Sequence, residues 1–313
     1  MAASNLSLIE QADLTRDNPE EIKVKVKNLL KEGIITLRDI AKVTAYAAPT
    51  ISQFLNDEYE GDTLKLGNAI TKFYRSWLAK NAVVETKDLQ SLQGILELTW
   101  KRFEISVNIA PFGSGKSKAA THYAALHEYA VYLELTSTTS PSSLIKHLAE
   151  AMNITGSLSG GKDEQLHAII RSLQRTPRLL IIDEADNLQI RTLAILKDIH
   201  GSEAEERCGV ALVGTEKLKT LLQHPELGYL NSRVGIRFRM GGISFDEAKK
   251  IMKMWPVELK ESELKRIYDW SMNHFGLRTL VKVMSRSLDA MVVARKKKID
   301  GECVDEGMCL LID

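Results

Sequence analysis

The chain has 313 residues, of which 44% are hydrophobic and 27% are charged, and its 42 Lys and Arg balance its 41 Asp and Glu. This is the balance of a globular protein of two or three domains, and it excludes general disorder. Because the net charge is only +1, affinity for nucleic acid would require a local basic patch. The three cysteines include no C-x-x-C pair, which argues against a disulfide framework and a structural zinc site. No membrane span or signal segment is visible, so we expect a soluble cytoplasmic protein.

The hydrophobic pattern divides the chain into four parts. Residues 1–80 have helical spacing and predict an all-α domain, and residues 81–90 are weakly periodic and predict a linker. Residues 91–240 contain short apolar runs at 105–109, 130–135, 179–182 and 210–213, separated by helical stretches. That alternation predicts an α/β sandwich with a parallel sheet. Residues 241–313 predict a helical lid with helices at 244–255, 261–274 and 276–298, the first opening on a capping box of Ser244 and Glu247.

The most informative segment joins a predicted strand to a predicted helix through a glycine-containing loop. We assign nucleotide binding to Ala110, Pro111, Phe112, Gly113, Ser114, Gly115, Lys116 and Ser117. In such a loop backbone N–H groups and the helix N-terminus cradle phosphates, Lys116 reaches the β- and γ-phosphates, and the Ser117 hydroxyl is offered to Mg²⁺. Ala110 stands where the pattern has its first glycine, which is tolerable only if that position needs no positive φ. The alternative is a chance Gly-Lys-Ser in a β–α turn.

A second predicted strand ends in adjacent carboxylates. Asp183 is expected to hold Mg²⁺ through its water shell, and Glu184 to orient and deprotonate the attacking water. A solvated acidic strand end is the alternative, and it is the interpretation we prefer for Asp186. Together with the phosphate loop, the pair predicts an ATPase that uses ATP and Mg²⁺.

Three later positions are candidates to complete this site. Thr215 follows a third strand and is placed to sense the γ-phosphate. Arg233 is placed to reach the nucleotide of a neighbouring subunit, and Arg278 opens a lid helix from which it can contact the phosphates. For each of them the alternative is an ordinary surface residue.

This order of motifs, followed by a helical lid, resembles the AAA+ ATPases and, more narrowly, the Mu B-like transposition ATPases. The resemblance covers nearly the whole chain, although only the nucleotide motifs are specific. It implies an AAA+ P-loop NTPase core, and a protein that forms a homo-oligomer, as a helical filament or ring, on double-stranded DNA and stimulates a transposase. Hydrolysis would be stimulated by DNA, and no membrane would be involved.

Residues 36–56 have the pattern of a helix-turn-helix, whose second helix would expose Thr50, Ser52 and Gln53 to DNA. Acidic residues follow that helix and no Arg or Lys lies on it, so tight sequence-specific reading is not expected. Lys23 and other N-terminal lysines would supply nonspecific attraction. The alternative is a protein-docking bundle. Further DNA-binding candidates are Lys146, Lys162, Lys296 and Lys297.

Two other functions remain open at this point. A helicase loader would share the nucleotide motifs but bind a helicase and prefer single-stranded DNA. A regulator would read an operator through the helix-turn-helix and use ATP as a switch.

Overall fold

The computed structural model describes residues 19–81, 83–154, 161–201, 208–255 and 257–311. These residues form two compact units: residues 85–243 make one, and the described residues on either side of that range make the other. Within the described ranges, no helix is long and apolar enough to cross a membrane.

The α-helices run as follows along the described chain. They are α1 (Pro19–Lys31), α2 (Leu37–Thr44), α3 (Ala48–Leu55), α4 (Thr63–Asn81), α5 (Lys87–Arg102), α6 (Lys116–Leu126), α7 (Pro141–Ala151), α8 (Lys162–Arg175), α9 (Ile190–His200), α10 (Glu216–Leu222), α11 (Gly228–Ser232), α12 (Phe245–Met252), α13 (Glu261–Asn273), α14 (Leu277–Val293) and α15 (Gly301–Cys309). Short 3₁₀ turns occupy Ala185–Asn187 and Pro225–Leu227.

The unit formed by residues 85–243 is built on a parallel sheet. Its strands are β1 (Ile105–Ile109), β2 (Ala130–Glu134), β3 (Arg178–Asp183), β4 (Cys208–Gly214) and β5 (Val234–Arg239), in the order β2-β3-β4-β1-β5. The four predicted strands are confirmed and all pair in parallel. β5 was not predicted. Strands β3 and β4 are buried along nearly their whole length, as expected for apolar runs covered on both faces by helices.

The other unit contains α1–α4 together with α12–α15. The N-terminal helices pack around a shared apolar core that includes Ile22, Ile40 and Ile51. In the same unit α14 and α15 pack closely: a Cβ at Gly307 would lie 2.6 Å from the Ser287 Oγ and 2.9 Å from its backbone nitrogen. Glycine is therefore required there for the two helices to approach. The N-terminal and lid helices meet in this unit through an ion pair of Lys72 and Asp289 at 3.0 Å.

Several element boundaries differ from the sequence-based expectation; α12, for example, ends at Met252 and not at residue 255. Helix α5 begins at Lys87, inside the stretch assigned to the linker, because the Thr86 hydroxyl caps it by accepting from the Leu89 N–H at 3.2 Å. Helix α14 ends at Val293 rather than near residue 298, since Arg295 turns into the left-handed region at φ 55°. The N–H groups of Arg295 and Lys296 then bond back to the last turn, which is a Schellman stop. The predicted capping box of α12 is confirmed.

Candidate functional site

The sheet order brings the nucleotide motifs together. Strand β4 lies between β3 and β1, and all three run in the same direction. The loop after β1, the acidic residues after β3 and Thr215 after β4 therefore lie at one edge of the sheet, where parallel α/β folds bind ligands. The side chains meet there: the Lys116 Nζ lies 3.1 Å from a carboxylate oxygen of Glu184.

The phosphate loop tolerates alanine at its first position. Ala110 is 1% exposed, lies in the apolar core and is absent from the residues with positive φ. Its N–H donates to the Gly214 carbonyl at 3.0 Å, which extends the pairing of β1 with β4 by one residue. The positions that do need a left-handed backbone are Gly113 (φ 73°) and Gly115 (φ 95°). The departure at Ala110 therefore leaves the loop conformation intact.

The loop offers donors suited to a phosphate group. Lys116 opens α6 and is only 5% exposed. The Ser114 hydroxyl is buried and has no hydrogen-bond partner within the described residues. Backbone N–H groups of the first helical turn point out of the helix end, and the helix dipole favours a negative charge there. Phe112 is half exposed, and its ring centroid lies 5.7 Å from the Lys116 Nζ. A nucleotide phosphate fits this chemistry.

Asp183 is fully buried at the end of β3. One carboxylate oxygen accepts from the Glu184 N–H at 2.8 Å, and the other accepts from the Tyr132 hydroxyl of β2 at 2.9 Å. Burial and the adjacent carboxylate hold the pKa of Tyr132 above its ordinary value, so the phenol stays a donor. Each carboxylate oxygen retains a lone pair beyond these bonds. The carboxylate of Asp183 and the hydroxyl of Ser117 thus fit the chemistry of a Mg²⁺ site, whose ligands are hard oxygen atoms.

Glu184 is held from two sides. Lys116 binds one carboxylate oxygen, and the Asn187 side-chain amide donates to the other at 3.2 Å. Its backbone has φ 56°, a left-handed conformation that costs a non-glycine residue about 1–2 kcal/mol. The turn directs the Glu184 side chain toward the phosphate loop and away from the buried direction of Asp183.

Thr215 follows β4, which lies between β1 and β3, and its hydroxyl already makes two hydrogen bonds to other residues of the chain. It donates to a carboxylate oxygen of Asp186 at 2.5 Å and accepts, at 3.4 Å, from the N–H of Lys217. The other Asp186 oxygen is buried without a hydrogen-bond partner among the described residues. The interpretation of Asp186 as a solvated acid is therefore wrong. Its carboxylate belongs to the polar network at the ends of β3 and β4.

The two candidate arginines lie in different units. Arg233 follows α11, and its guanidinium carbon lies 4.3 Å from the centroid of the Tyr229 ring, a cation–π contact. Arg278 is exposed in the first turn of α14. Their assigned roles toward a nucleotide stay predictions.

The candidate DNA contacts in the N-terminal helices have mixed surroundings. Gln53 is exposed, and Thr50 and Ser52 are partly exposed. Helices α2 and α3 are joined by residues 45–47, but their use as a DNA-binding helix-turn-helix stays a prediction. Lys23 is different: it is 6% exposed, pairs with Asp57 and lies over an aromatic ring. The expectation that Lys23 attracts DNA phosphates is therefore wrong.

The other basic candidates lie on both units. Lys162 is exposed at the start of α8, and the preceding residues 155–160 lie outside the described chain. Lys146 is exposed and has Glu150 at 3.8 Å. Lys297 is exposed after α14, but Lys296 pairs with Asp300 at 2.6 Å and Glu302 at 2.5 Å, contacts that raise its pKa. Two carboxylates therefore already offset the charge of Lys296.

Sequence reasoning alone missed the contacts that three residues make in the site: Tyr132, Asn187 and Asp186. Tyr132 sits in an ordinary apolar strand, and only the pairing of β2 with β3 brings its hydroxyl to Asp183. The position of Asn187, three residues after Glu184 in a 3₁₀ turn, could have indicated a local contact.

Comparisons with known proteins agree with this arrangement. The AAA domain family matches residues 104–222. The chain is 25% identical over 275 residues to the "ATP-dependent target DNA activator B" of Escherichia phage Mu, covering 84% of this chain and 86% of that protein. It is 26% identical over 272 residues to the "Mu-like prophage FluMu DNA transposition protein B" of Haemophilus influenzae, covering 82% and 93%.

Solved structures share the fold. The Aeropyrum pernix ORC2 protein in its ADP form matches with a TM-score of 0.57 and 12% identity, covering 69% of this chain and 67% of that one. The Aeropyrum pernix ORC1 protein in complex with DNA matches with a TM-score of 0.56 and 13% identity, covering 75% and 67%. The chain therefore has the AAA+ P-loop fold, residues 104–222 match the AAA domain family, and over most of its length the chain is similar to the B proteins of phage Mu and of the Mu-like prophage FluMu.

Proposed function

We propose that this protein is an ATP-dependent, largely sequence-nonspecific DNA-binding ATPase that oligomerises on duplex DNA and delivers target DNA to a transposase. The observation that carries the ATPase assignment is the 3.1 Å contact of Lys116 and Glu184, at the sheet edge where β1 and β3 end on either side of β4. A phosphate-binding lysine and a candidate base that belong to separate motifs, 68 residues apart, share one edge of the sheet.

Different residues of the site are assigned to phosphate binding, metal binding and activation of the water. Lys116 and the loop N–H groups would bind the phosphates, and Ser117 and Asp183 would hold Mg²⁺, which would offset charge on the transferring phosphoryl group. Glu184 orients the attacking water and accepts its proton. Because Lys116 pairs directly with Glu184, a phosphate bound by Lys116 competes for the same ammonium group. Phosphate binding would thereby free the Glu184 carboxylate for the water.

The DNA and transposase parts of the proposal rest on the relatives. Two are named "target DNA activator" or "DNA transposition protein" and align with more than four fifths of this chain. The net charge of +1 means that one subunit offers few phosphate contacts, so assembly on DNA would multiply them. Each added contact steepens the fall of affinity with salt, by about −0.9 in log K per log salt on duplex DNA.

The ATPase proposal is tested by separating binding from chemistry. Lys116→Ala should abolish nucleotide binding, whereas Glu184→Gln should keep binding and lower the hydrolysis rate by about 10²–10⁴-fold. The matched controls are Lys219→Ala and Glu128→Gln, two exposed positions in the same unit. Fluorescent-nucleotide titration and phosphate release are the measurements. Equal ATP affinity for wild type and Lys116→Ala would overturn the assignment of the loop.

The DNA proposal is tested by electron microscopy with duplex DNA of arbitrary sequence, with and without ATP. Continuous ATP-dependent filaments or rings on DNA are expected. One discrete complex at a single site would instead support the regulator, and binding confined to single-stranded DNA would support a helicase loader.

The proposed role of Arg233 requires an oligomer. An arginine that reaches the neighbouring nucleotide stabilises charge on the γ-phosphate and is worth about 10³–10⁵ in turnover. Arg233→Ala and Glu184→Gln should each bind ATP and hydrolyse little. Mixing them creates interfaces with an intact Glu184 and an intact Arg233, so activity should return with rising protein concentration. A mixture that co-assembles on DNA but stays inactive would show that Arg233 does not act across an interface.

A further inference from the structure

Asp186 and Thr215 join the ends of two neighbouring strands. Asp186 lies in the 3₁₀ turn after β3, and Thr215 directly follows β4 and caps α10. The Thr215 hydroxyl lies 2.5 Å from an Asp186 oxygen, and Thr215 is 5% exposed. Glu184 directly precedes this turn as its N-cap residue. The bond therefore connects the segment that carries the candidate base to the residue expected to sense the γ-phosphate.

The direction of this bond follows from counting protons. A threonine hydroxyl has one hydrogen, and an ionised carboxylate can only accept. The Thr215 hydrogen therefore points to Asp186, while the Lys217 N–H occupies one of the two Thr215 lone pairs. The Thr215 hydroxyl therefore retains one lone pair that is free to accept a hydrogen bond. Thr215 can accept one more hydrogen bond but cannot donate to a phosphate oxygen while the pair is intact.

The backbone of β4 leaves room for this pair only because residue 214 is glycine. A Cβ at Gly214 would lie 2.5 Å from the second Asp186 oxygen, closer than such atoms approach. That oxygen is buried without a hydrogen-bond partner in the described part of the chain. The carboxylate is thus fixed by packing on one side and by Thr215 on the other.

We propose that Asp186 is a positioning residue for ATP hydrolysis: it accepts the hydrogen bond that the Thr215 hydroxyl donates, so that Thr215 serves the site as an acceptor for the attacking water and not as a donor to the γ-phosphate. This inference rests on the proposed ATPase activity. Asp186 acts through Thr215 and does not contact the nucleotide. The two residues are expected to behave as one unit.

The test is a double-mutant cycle of Asp186→Ala, Thr215→Val and the double variant, with kcat, KM and nucleotide Kd measured for each. A charge-assisted hydrogen bond of this kind, expressed in the transition state, corresponds to about a 10- to 100-fold loss of kcat. Each single variant should lose that much with little change in Kd, and the double variant should lose no more than either single one. Thr215→Ser, which keeps the hydroxyl, should retain most of the activity.

The opposite assignment makes an opposite prediction. If Thr215 donates to the γ-phosphate, Asp186→Ala frees its hydrogen, and activity and ATP affinity should be kept or increased. That result, or strictly additive losses in the double variant, would overturn the proposal. A wild-type protein that binds and hydrolyses no ATP would instead overturn the proposed function on which this inference depends.

A further variant displaces the carboxylate without removing either polar group. Gly214→Ala places a Cβ against the Asp186 oxygen and should lower kcat as Asp186→Ala does. Gly94→Ala is the control, because a Cβ on that exposed helical glycine meets nothing within 4 Å. Thermal unfolding of all variants identifies any that fail to fold. Full activity of a folded Gly214→Ala protein would contradict the proposal.

Discussion

The phosphate-loop helix is anchored at its far end by a carboxylate whose protonation should govern stability in acid. Glu97 of α5 accepts from the hydroxyls of Tyr123 of α6 and Tyr129, each at 2.7 Å, and pairs with Lys101 at 2.9 Å. These hydrogen bonds, with the one from Tyr129 the largest cause, lower the pKa of Glu97 to about 2. Replacement by glutamine removes the charge but keeps the shape.

The magnitude follows from the difference between the ordinary and the folded pKa. A fall from 4.5 to about 2 corresponds to about 3 kcal/mol of stability at pH 7. Since the Glu97 side chain is 34% exposed, solvent screening reduces this to about 1–2 kcal/mol. A lowered carboxylate pKa stabilises the fold above the unfolded pKa, and the contribution is lost as pH falls toward 2. By pH 3 about three fifths of it should be gone.

The assay is urea unfolding of wild type and Glu97→Gln between pH 7 and pH 3. The difference between the two free energies of unfolding should be about 1–2 kcal/mol at pH 7 and shrink below pH 4.5. Glu128→Gln, at an exposed position of the same unit, controls for general loss of charge. A difference that stays constant down to pH 3 would refute the electrostatic reasoning and point to packing alone.

Three further outcomes are expected. Tyr132→Phe removes the hydrogen bond to Asp183 and should weaken Mg²⁺-dependent nucleotide binding by about 10-fold; an unchanged Mg²⁺ titration would contradict this. Gly209→Ala would place a Cβ 2.6 Å from a backbone carbonyl oxygen of α5 and should destabilise the fold by about 1–3 kcal/mol in urea unfolding. Burial raises the pKa of the Cys208 thiol to about 12, so iodoacetamide at neutral pH should label exposed Cys309 first, as peptide mass spectrometry would show.

The parallel core was predictable because its strands are continuous apolar runs that end in turn residues or charges. β1 was predicted at its observed bounds, and β3 and β4 were predicted within one or two residues. β5 was missed because it is an edge strand with a different pattern: Val234, Ile236 and Phe238 are partly buried and alternate with exposed residues. Alternation over six residues that include a glycine and two arginines is a weak signal for a strand in a parallel sheet.

Charge patterns were less informative than apolar patterns. Lys23 and Lys296 both read as exposed cations in the sequence, yet Lys23 pairs with Asp57, and Lys296 pairs with Asp300 and Glu302. Asp57 lies 34 residues from Lys23 and reaches it through the packing of the N-terminal helices. A run of lysines in the sequence therefore does not establish that each lysine is a free surface charge, because ion pairs formed in the folded protein offset some of these charges.

In the segment Asp183-Glu184-Ala185-Asp186 the fold gives each acidic residue a different set of neighbours. The three carboxylates lie within four residues, but each meets a different neighbour. Asp183 continues the buried strand and meets β2 through Tyr132, and Glu184 turns to positive φ and meets Lys116. Asp186 is the middle residue of the 3₁₀ turn and meets Thr215 after β4. Because the strand order places β2 on one side of β3 and β4 on the other, these carboxylates cannot exchange partners without repacking the sheet edge. Distinct partners are what allow neighbouring carboxylates to take distinct tasks, such as holding a metal, accepting a proton and orienting a hydroxyl.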